Sequence, residues 1–132
     1  MPALPDPVRQ WLDARSFPVV ATVDPDGRPQ LSLVWAKYDG DDVLFSTLAT
    51  RRKGRNLTRD PNISMLIPNP ETPNEYVELR GTATITPDPG GSLIKELGLR
   101  YDGEEFQEPE ERAARRVVVR ITADHVVTYG LD

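Results

Sequence analysis

Apolar positions along this chain recur first at helical spacing and then at every second residue, and that change of period outlines the fold. Val8, Trp11 and Leu12 are spaced to share one face of a short amphipathic helix over residues 5–15. Residues 17–23, Phe-Pro-Val-Val-Ala-Thr-Val, read as a strand. Asp24-Pro25-Asp26-Gly27 is a strong turn signal, and a single long strand is expected from Pro29 to Tyr38. A second turn, Asp39-Gly40-Asp41-Asp42, leads into a third strand over 43–47, so that the first third of the chain reads as a meander.

The second half repeats these signals. A helix over 50–59 is expected to end at Asp60-Pro61, because proline disfavours helix in the residue before it. Residues 62–67 form a fourth strand, 68–73 a proline-punctuated loop and 76–86 a long fifth strand. Leu93, Ile94, Leu97 and Leu99 give an apolar side to a helix over 91–101, with Gly90-Gly91 as its turn and cap. Residues 102–111 carry six acids and read as a solvated helix start or loop. The run Val117-Val118-Val119 and Ile121 mark a last strand over 116–127. Six strands with two or three helices and short turns predict a mainly β fold, an antiparallel barrel with helices packed outside, as one domain over residues 1–132. A six-stranded barrel is too narrow to enclose a large ligand, so a ligand is expected on its outer surface, where dimerisation can build a cleft.

Composition narrows the classes. A chain of 132 residues can bury roughly two-thirds of its unfolded surface. Its net charge of −5 argues against a nucleic-acid partner, whose footprint is a broad basic surface. No apolar run approaches the ~20 residues of a membrane span. Residues 1–6 show no basic-then-apolar secretory pattern, so the expected compartment is cytoplasmic. The absence of cysteine removes disulfides, thiolate nucleophiles and cysteine-based zinc sites. No phosphate-binding loop, dinucleotide fingerprint or metal-spaced cluster is present, and no catalytic or metal-binding residue is assigned. The one histidine, His125, reads as a structural or interface residue.

Against that acidic background, Arg51-Arg52-Lys53-Gly54-Arg55 places four cations in five positions, after Ser46 and Thr47 and with no acid until Asp60. On a helix Arg51 and Arg55 would share a face and repel. A helix start with hydroxyls, free N–H groups and cations suits a phosphate. Arg52 and Arg59 read as solvated. In the preceding strand, Trp35 is either core, with Leu31 and Leu33, or the edge of a ring site lined by Ser32 and Val34. Tyr76 is either a rim aromatic or ordinary packing.

Gly27-Arg28-Pro29-Gln30-Leu31-Ser32-x-x-Trp35, Leu44-Phe45-Ser46-Thr47 and Arg51-x-Lys53-x-x-Asn56-Leu57-x-x-Asp60-Pro61 resemble the pyridoxamine-phosphate-oxidase-like flavin and deazaflavin reductase superfamily. Within it the chain is most similar to the small coenzyme F420-dependent reductases. The strands around Tyr76 to Ile85 and Arg115 to Val119 also fit, so the likeness covers nearly the whole chain. It implies a six-stranded antiparallel split β-barrel of FMN-binding-protein type, a homodimer with cofactor clefts at the subunit interface and a small-molecule substrate. By resemblance Arg51, Lys53 and Asn56 hold the cofactor phosphate and acidic tail, with Ser46 and Thr47 nearby. Ser32, Val34 and Trp35 then line the ring, and Tyr76 comes from the partner subunit. The expected activity is hydride transfer from reduced coenzyme F420 to an electron-poor acceptor. The alternatives are an FMN-dependent oxidase or flavin reductase and a non-catalytic F420 carrier. The four cations exceed what one phosphate needs and favour F420, whose tail carries extra carboxylates. The C-terminal substrate-binding segment of the true pyridoxamine phosphate oxidases has no match in the sequence, which counts against vitamin B6 oxidation.

Overall fold

Seven strands rather than six build the sheet, in the order β2-β1-β5-β6-β7-β4-β3, with every neighbouring pair antiparallel. The computed structural model describes residues 2–131. Met1 and Asp132, the two ends of the expected single domain, lie outside the described residues. The chain runs α1 (Asp6–Asp13), β1 (Val19–Val23), β2 (Pro29–Leu33), β3 (Ala36–Asp39), β4 (Asp42–Leu48) and α2 (Arg52–Arg59). It continues through β5 (Asn62–Pro68), β6 (Tyr76–Pro87), α3 (Ser92–Asp102), α4 (Glu110–Ala113) and β7 (Arg116–Tyr129).

The extra strand comes from a break at Val34-Trp35. Pro29–Leu33 pairs with β1, whereas Ala36–Asp39 pairs with β4, at the opposite edge of the sheet. The expected meander is therefore two hairpins whose shared segment changes partners. The apolar run Leu33-Val34-Trp35-Ala36 carries no turn residue at the break, so the pattern alone reads as one strand. The corner is fixed by contacts from elsewhere. The Val34 N–H donates to Pro18 O at 3.0 Å. The Ala36 N–H donates to the Tyr101 hydroxyl at 3.2 Å, and that hydroxyl donates to Ser16 O at 2.5 Å.

This two-residue link makes the sheet curl. The three residue steps from Leu33 to Ala36 span at most about 11 Å, so the two sheet edges approach one another there. They are not hydrogen-bonded to each other, and the barrel stays open at that seam. Inside it, Val20, Val43, Phe45, Met65, Ile67, Val77, Leu79, Val119 and Ile121 are almost fully buried. They form one core with Val8 and Leu12 of α1 and Leu57 of α2. A second, smaller cluster lies outside the barrel, where Leu93, Leu97 and Tyr101 of α3 cover Leu44, with Trp35 and Val118 alongside.

The outer face of β2, β1 and β5 is unusually apolar. Leu33 pairs with Val19 and Val19 with Leu66, so the three lie in one row across the sheet. Leu31 and Leu33 are 63% and 66% exposed, so they do not belong to the core as their odd-numbered spacing with Trp35 suggested. Among the described residues no helix is long and apolar enough to cross a membrane.

Candidate functional site

Helix α2 begins where β4 leaves the sheet, and its first turn is pressed against that exit. A Cβ on Gly54 would lie 2.5 Å from Leu48 O and 3.1 Å from Ala49 O, so only glycine allows this approach. Arg51 precedes the helix in an extended conformation, at φ −73° and ψ 159°. It is therefore off the helical grid, and the expected four-residue repulsion with Arg55 does not arise. Instead the two cations face different spaces.

Arg51 and Lys53 line a cavity of about 250 Å³ on the outside of the barrel, with Phe17, Leu33, Val34, Trp35, Ser46, Ile94, Phe106 and Arg116. Its walls come from the β2–β3 corner, the outward side of β4, helix α3 and the irregular segment 103–109. Trp35 stacks on Tyr101 at 5.4 Å and 14°, and Phe106 meets Trp35 edge-on at 6.2 Å. Segment 103–109 lies so close to α3 that a Cβ on Gly98 would come within 2.6 Å of the Phe106 nitrogen. Aromatic surface on one side and cations on the other suit a flat, conjugated molecule carrying an anionic group.

The charges here are poorly balanced. Lys53 is 9% exposed, and no carboxylate among the described residues lies within ion-pair distance of it or of Arg51. Burial first, and then the neighbouring Arg51 and Arg116, hold the Lys53 ammonium below its ordinary value. Burial and the charges of Arg112 and Arg116 likewise lower Arg51, against an opposing pull from Glu108. A buried cation without a counterion costs several kcal/mol, so this arrangement favours any anion that enters. Among the described residues, the buried side-chain polar atoms lacking a hydrogen-bond partner are Ser32 Oγ, Ser46 Oγ and Thr47 Oγ1, all three anticipated from sequence.

The anticipated residues divide in space. Val34, Trp35, Ser46, Arg51 and Lys53 come together at the cavity. Trp35 is not core with Leu31 and Leu33; it packs beside the outer cluster and also lines the cavity. Thr47 is fully buried and, by strand alternation, faces the barrel interior with Phe45 rather than the cavity with Ser46. Ser32 sits opposite Val20 in the ladder and turns inward as well. Tyr76 stacks on Tyr129 at 5.0 Å, away from the cavity.

Asn56 is used structurally. Its Nδ2 donates to Thr22 Oγ1 and Asp24 Oδ1, both at 3.0 Å, and its Oδ1 accepts from Arg59 at 3.2 Å. It anchors α2 to the β1–β2 turn. Arg52 leans on Asp24 at 3.7 Å and is solvated, as expected. Arg52, Arg55 and Arg59 border a separate hollow with Asp24 and Asp26. The sequence argument from four cations to an extended acidic tail therefore loses two of its members.

Sequence reasoning missed Arg116, Phe106, Phe17 and Ile94. The acidic run 102–111 predicts a solvated segment, yet Glu108 has a side chain only 6% exposed, in a bidentate pair with Arg116. A buried acid within an acidic run carries no sequence signal. Arg116, beginning an apolar strand, carried a faint one.

The pyridoxamine 5'-phosphate oxidase family model matches residues 4–130, and the chain belongs to that family. A pyridoxine/pyridoxamine 5'-phosphate oxidase of Rhodopseudomonas palustris strain HaA2 is 37% identical over 70 residues, 52% of this chain and 32% of the relative. The chain thus matches about a third of that relative's length. Among solved structures, an F420 reductase superposes with a TM-score of 0.83 at 32% identity, covering 94% of this chain and 98% of that one. A pyridoxamine 5'-phosphate oxidase-related, FMN-binding protein from Nostoc punctiforme shares the fold, with a TM-score of 0.62 at 17% identity over 91% of this chain and 77% of that one.

Proposed function

We propose that this member of the pyridoxamine 5'-phosphate oxidase family is a coenzyme F420-dependent oxidoreductase. The observation that carries this reading is the buried, uncompensated Lys53 beside Arg51, facing an aromatic-walled cavity. The near full-length likeness to an F420 reductase supports F420 over FMN. When bound and reduced, the deazaflavin supplies a hydride to an electron-poor double bond such as an enone or quinone.

The chain's own residues do the holding. Lys53 and Arg51 take the phosphate, and Ser46 offers its unpartnered hydroxyl beside them. Val34 and Trp35 border the ring, while Phe106 and Ile94 exclude water. The lining residues include neither carboxylate nor imidazole, so the proton that completes the reduction comes from water. Ser32 and Thr47 act from inside the barrel on the strands that shape the site, and Asn56 acts by fixing α2.

The same reading makes the protein a homodimer with a cytoplasmic, small-molecule role. Leu33 both lines the cavity and belongs to the exposed apolar row with Leu31 and Leu66, so the cavity mouth opens onto that face. A second chain docked there completes the cleft and brings an aromatic such as its own Tyr76 near the ring. Sedimentation of the parent against a Leu31→Asp variant checks this, with the variant expected as monomer.

The deciding experiment is fluorescence titration with coenzyme F420 and with FMN, followed by mixing the reduced complex with quinones and enones. F420 binding with oxidation of the reduced cofactor is expected. Tight FMN binding without F420 binding would replace the reading with a flavin enzyme. F420 binding without turnover on any acceptor would leave a carrier.

A further inference from the structure

Arg116 lies one β-ladder away from the cation cluster, at the start of β7, opposite Leu48 at the end of β4. Its side chain is 3% exposed and lines the same cavity as Arg51 and Lys53. Two of its three nitrogens are committed: Nε donates to Glu108 Oε2 and Nη2 to Glu108 Oε1, each at 3.0 Å. The guanidinium also lies over the Phe106 ring, 5.3 Å from its centre. Nη1 has no hydrogen-bond partner among the described residues. A planar fork pinned along one edge by a carboxylate and on one face by an aromatic ring cannot rotate, so its remaining arm has a fixed direction.

A purely structural ion pair has no need of this setting. Replacing a buried pair by apolar side chains is commonly neutral or stabilising, and Arg116 adds a like charge beside an already uncompensated lysine. The pair instead resembles the orienting arrangement found where a ligand must be met in one geometry. Arg112 also reaches Glu108, at 3.4 Å, so that this one carboxylate sits between two arginines.

We infer that Arg116 is a third phosphate-holding cation of the cleft and that Glu108 is the positioning residue that aims its free arm. This inference rests on the cleft being a cofactor site and adds to it a residue distant in sequence from the Arg-x-Lys motif. It also gives segment 103–109 a role, because Phe106 and Glu108 fix both the guanidinium and one wall of the cavity.

The test compares Lys53→Ala, the double variant Glu108→Gln/Arg116→Gln and the single variant Arg116→Lys. The double variant removes both members of the buried pair, so neither is left behind without the other, and Arg116→Lys guards against a folding failure by keeping a cation. Each is titrated with coenzyme F420 and with FMN, with inorganic phosphate as competitor, and its thermal unfolding is recorded. The expected result is at least tenfold weaker cofactor binding in the double variant. About threefold weakening is expected in Arg116→Lys, which keeps the charge but loses the pinned arm. Phosphate should lose its ability to compete in parallel, whichever cofactor is used. Binding within twofold of the parent in both Arg116 variants, with Lys53→Ala still impaired, would overturn the inference alone. Normal binding by Lys53→Ala as well would overturn the cofactor site and the inference together.

Discussion

The two sides of helix α2 carry similar residues and behave in opposite ways. On the outer side, Arg52 meets Asp24, Arg59 donates to Val23 O and to Asn56, and Arg55 stays in water. On the inner side Lys53 is buried without a counterion, beside Arg51 and Arg116. Density of positive charge therefore does not distinguish a site from a solvated face. What distinguishes them is whether water or a protein partner satisfies the charge. Exposed, partly paired arginines cost little and contribute little. A buried, unpaired lysine lowers stability, and the proposed function gives it a partner in the cofactor phosphate.

That contrast can be broken by experiment. The largest effect belongs to Lys53→Ala, which should weaken cofactor binding by about 1–3 kcal/mol, the scale of a hydrogen bond to a charged group, as read by fluorescence titration. An unchanged affinity would make the two sides of the helix equivalent.

Next comes Asn56→Ala, which strips the amide from Thr22 and Asp24. It should lower unfolding stability by roughly 1–2 kcal/mol in a denaturant titration while leaving affinity within about twofold. A large loss of affinity at unchanged stability would return Asn56 to the ligand side.

A smaller effect comes from Lys53 in the free protein. Its folded value lies below the usual 10.5, so the unfolded chain binds more protons between those two values. The cost of the buried charge is fully present below the folded value and is relieved as pH rises through it. Stability of the ligand-free protein should therefore rise over that window relative to Lys53→Met, which should also melt higher than the parent near neutral pH. Paired melting curves at pH 7, 8.5 and 9.5 read this directly.

The smallest effects are those of Arg52→Ala and Arg55→Ala, each expected within about 0.5 kcal/mol on both stability and binding. A clear loss of F420 affinity alone in these variants would extend the site around the helix to the outer hollow.

Much of this was legible in the chain. Alternating and helical periods located the strands and longer helices, but not the division of residues 29–38 or the short helix α4, and the Arg-x-Lys spacing pointed to the helix start where Arg51 and Lys53 line the cavity. Two failures have the same origin. The break at Val34-Trp35 is imposed by Pro18 and Tyr101, and the burial of Glu108 by Arg116 and Phe106. Each involves partners far along the sequence, while local pattern reports only on neighbours within a turn or two.

The sequence by itself determined where strands and helices form, because burial of one face imposes its period on the residues. It also determined that an acidic chain concentrates cations at one helix start. The tertiary structure alone decided which of those cations is buried without a counterion. That depends on sheet order: placing β7 beside β4 brings Arg116 to Arg51 and Lys53, and the β1–β2 turn brings Asp24 to Arg52 and Asn56. Charge compensation is a property of distance in space, and here the distances are set by the curl of the sheet.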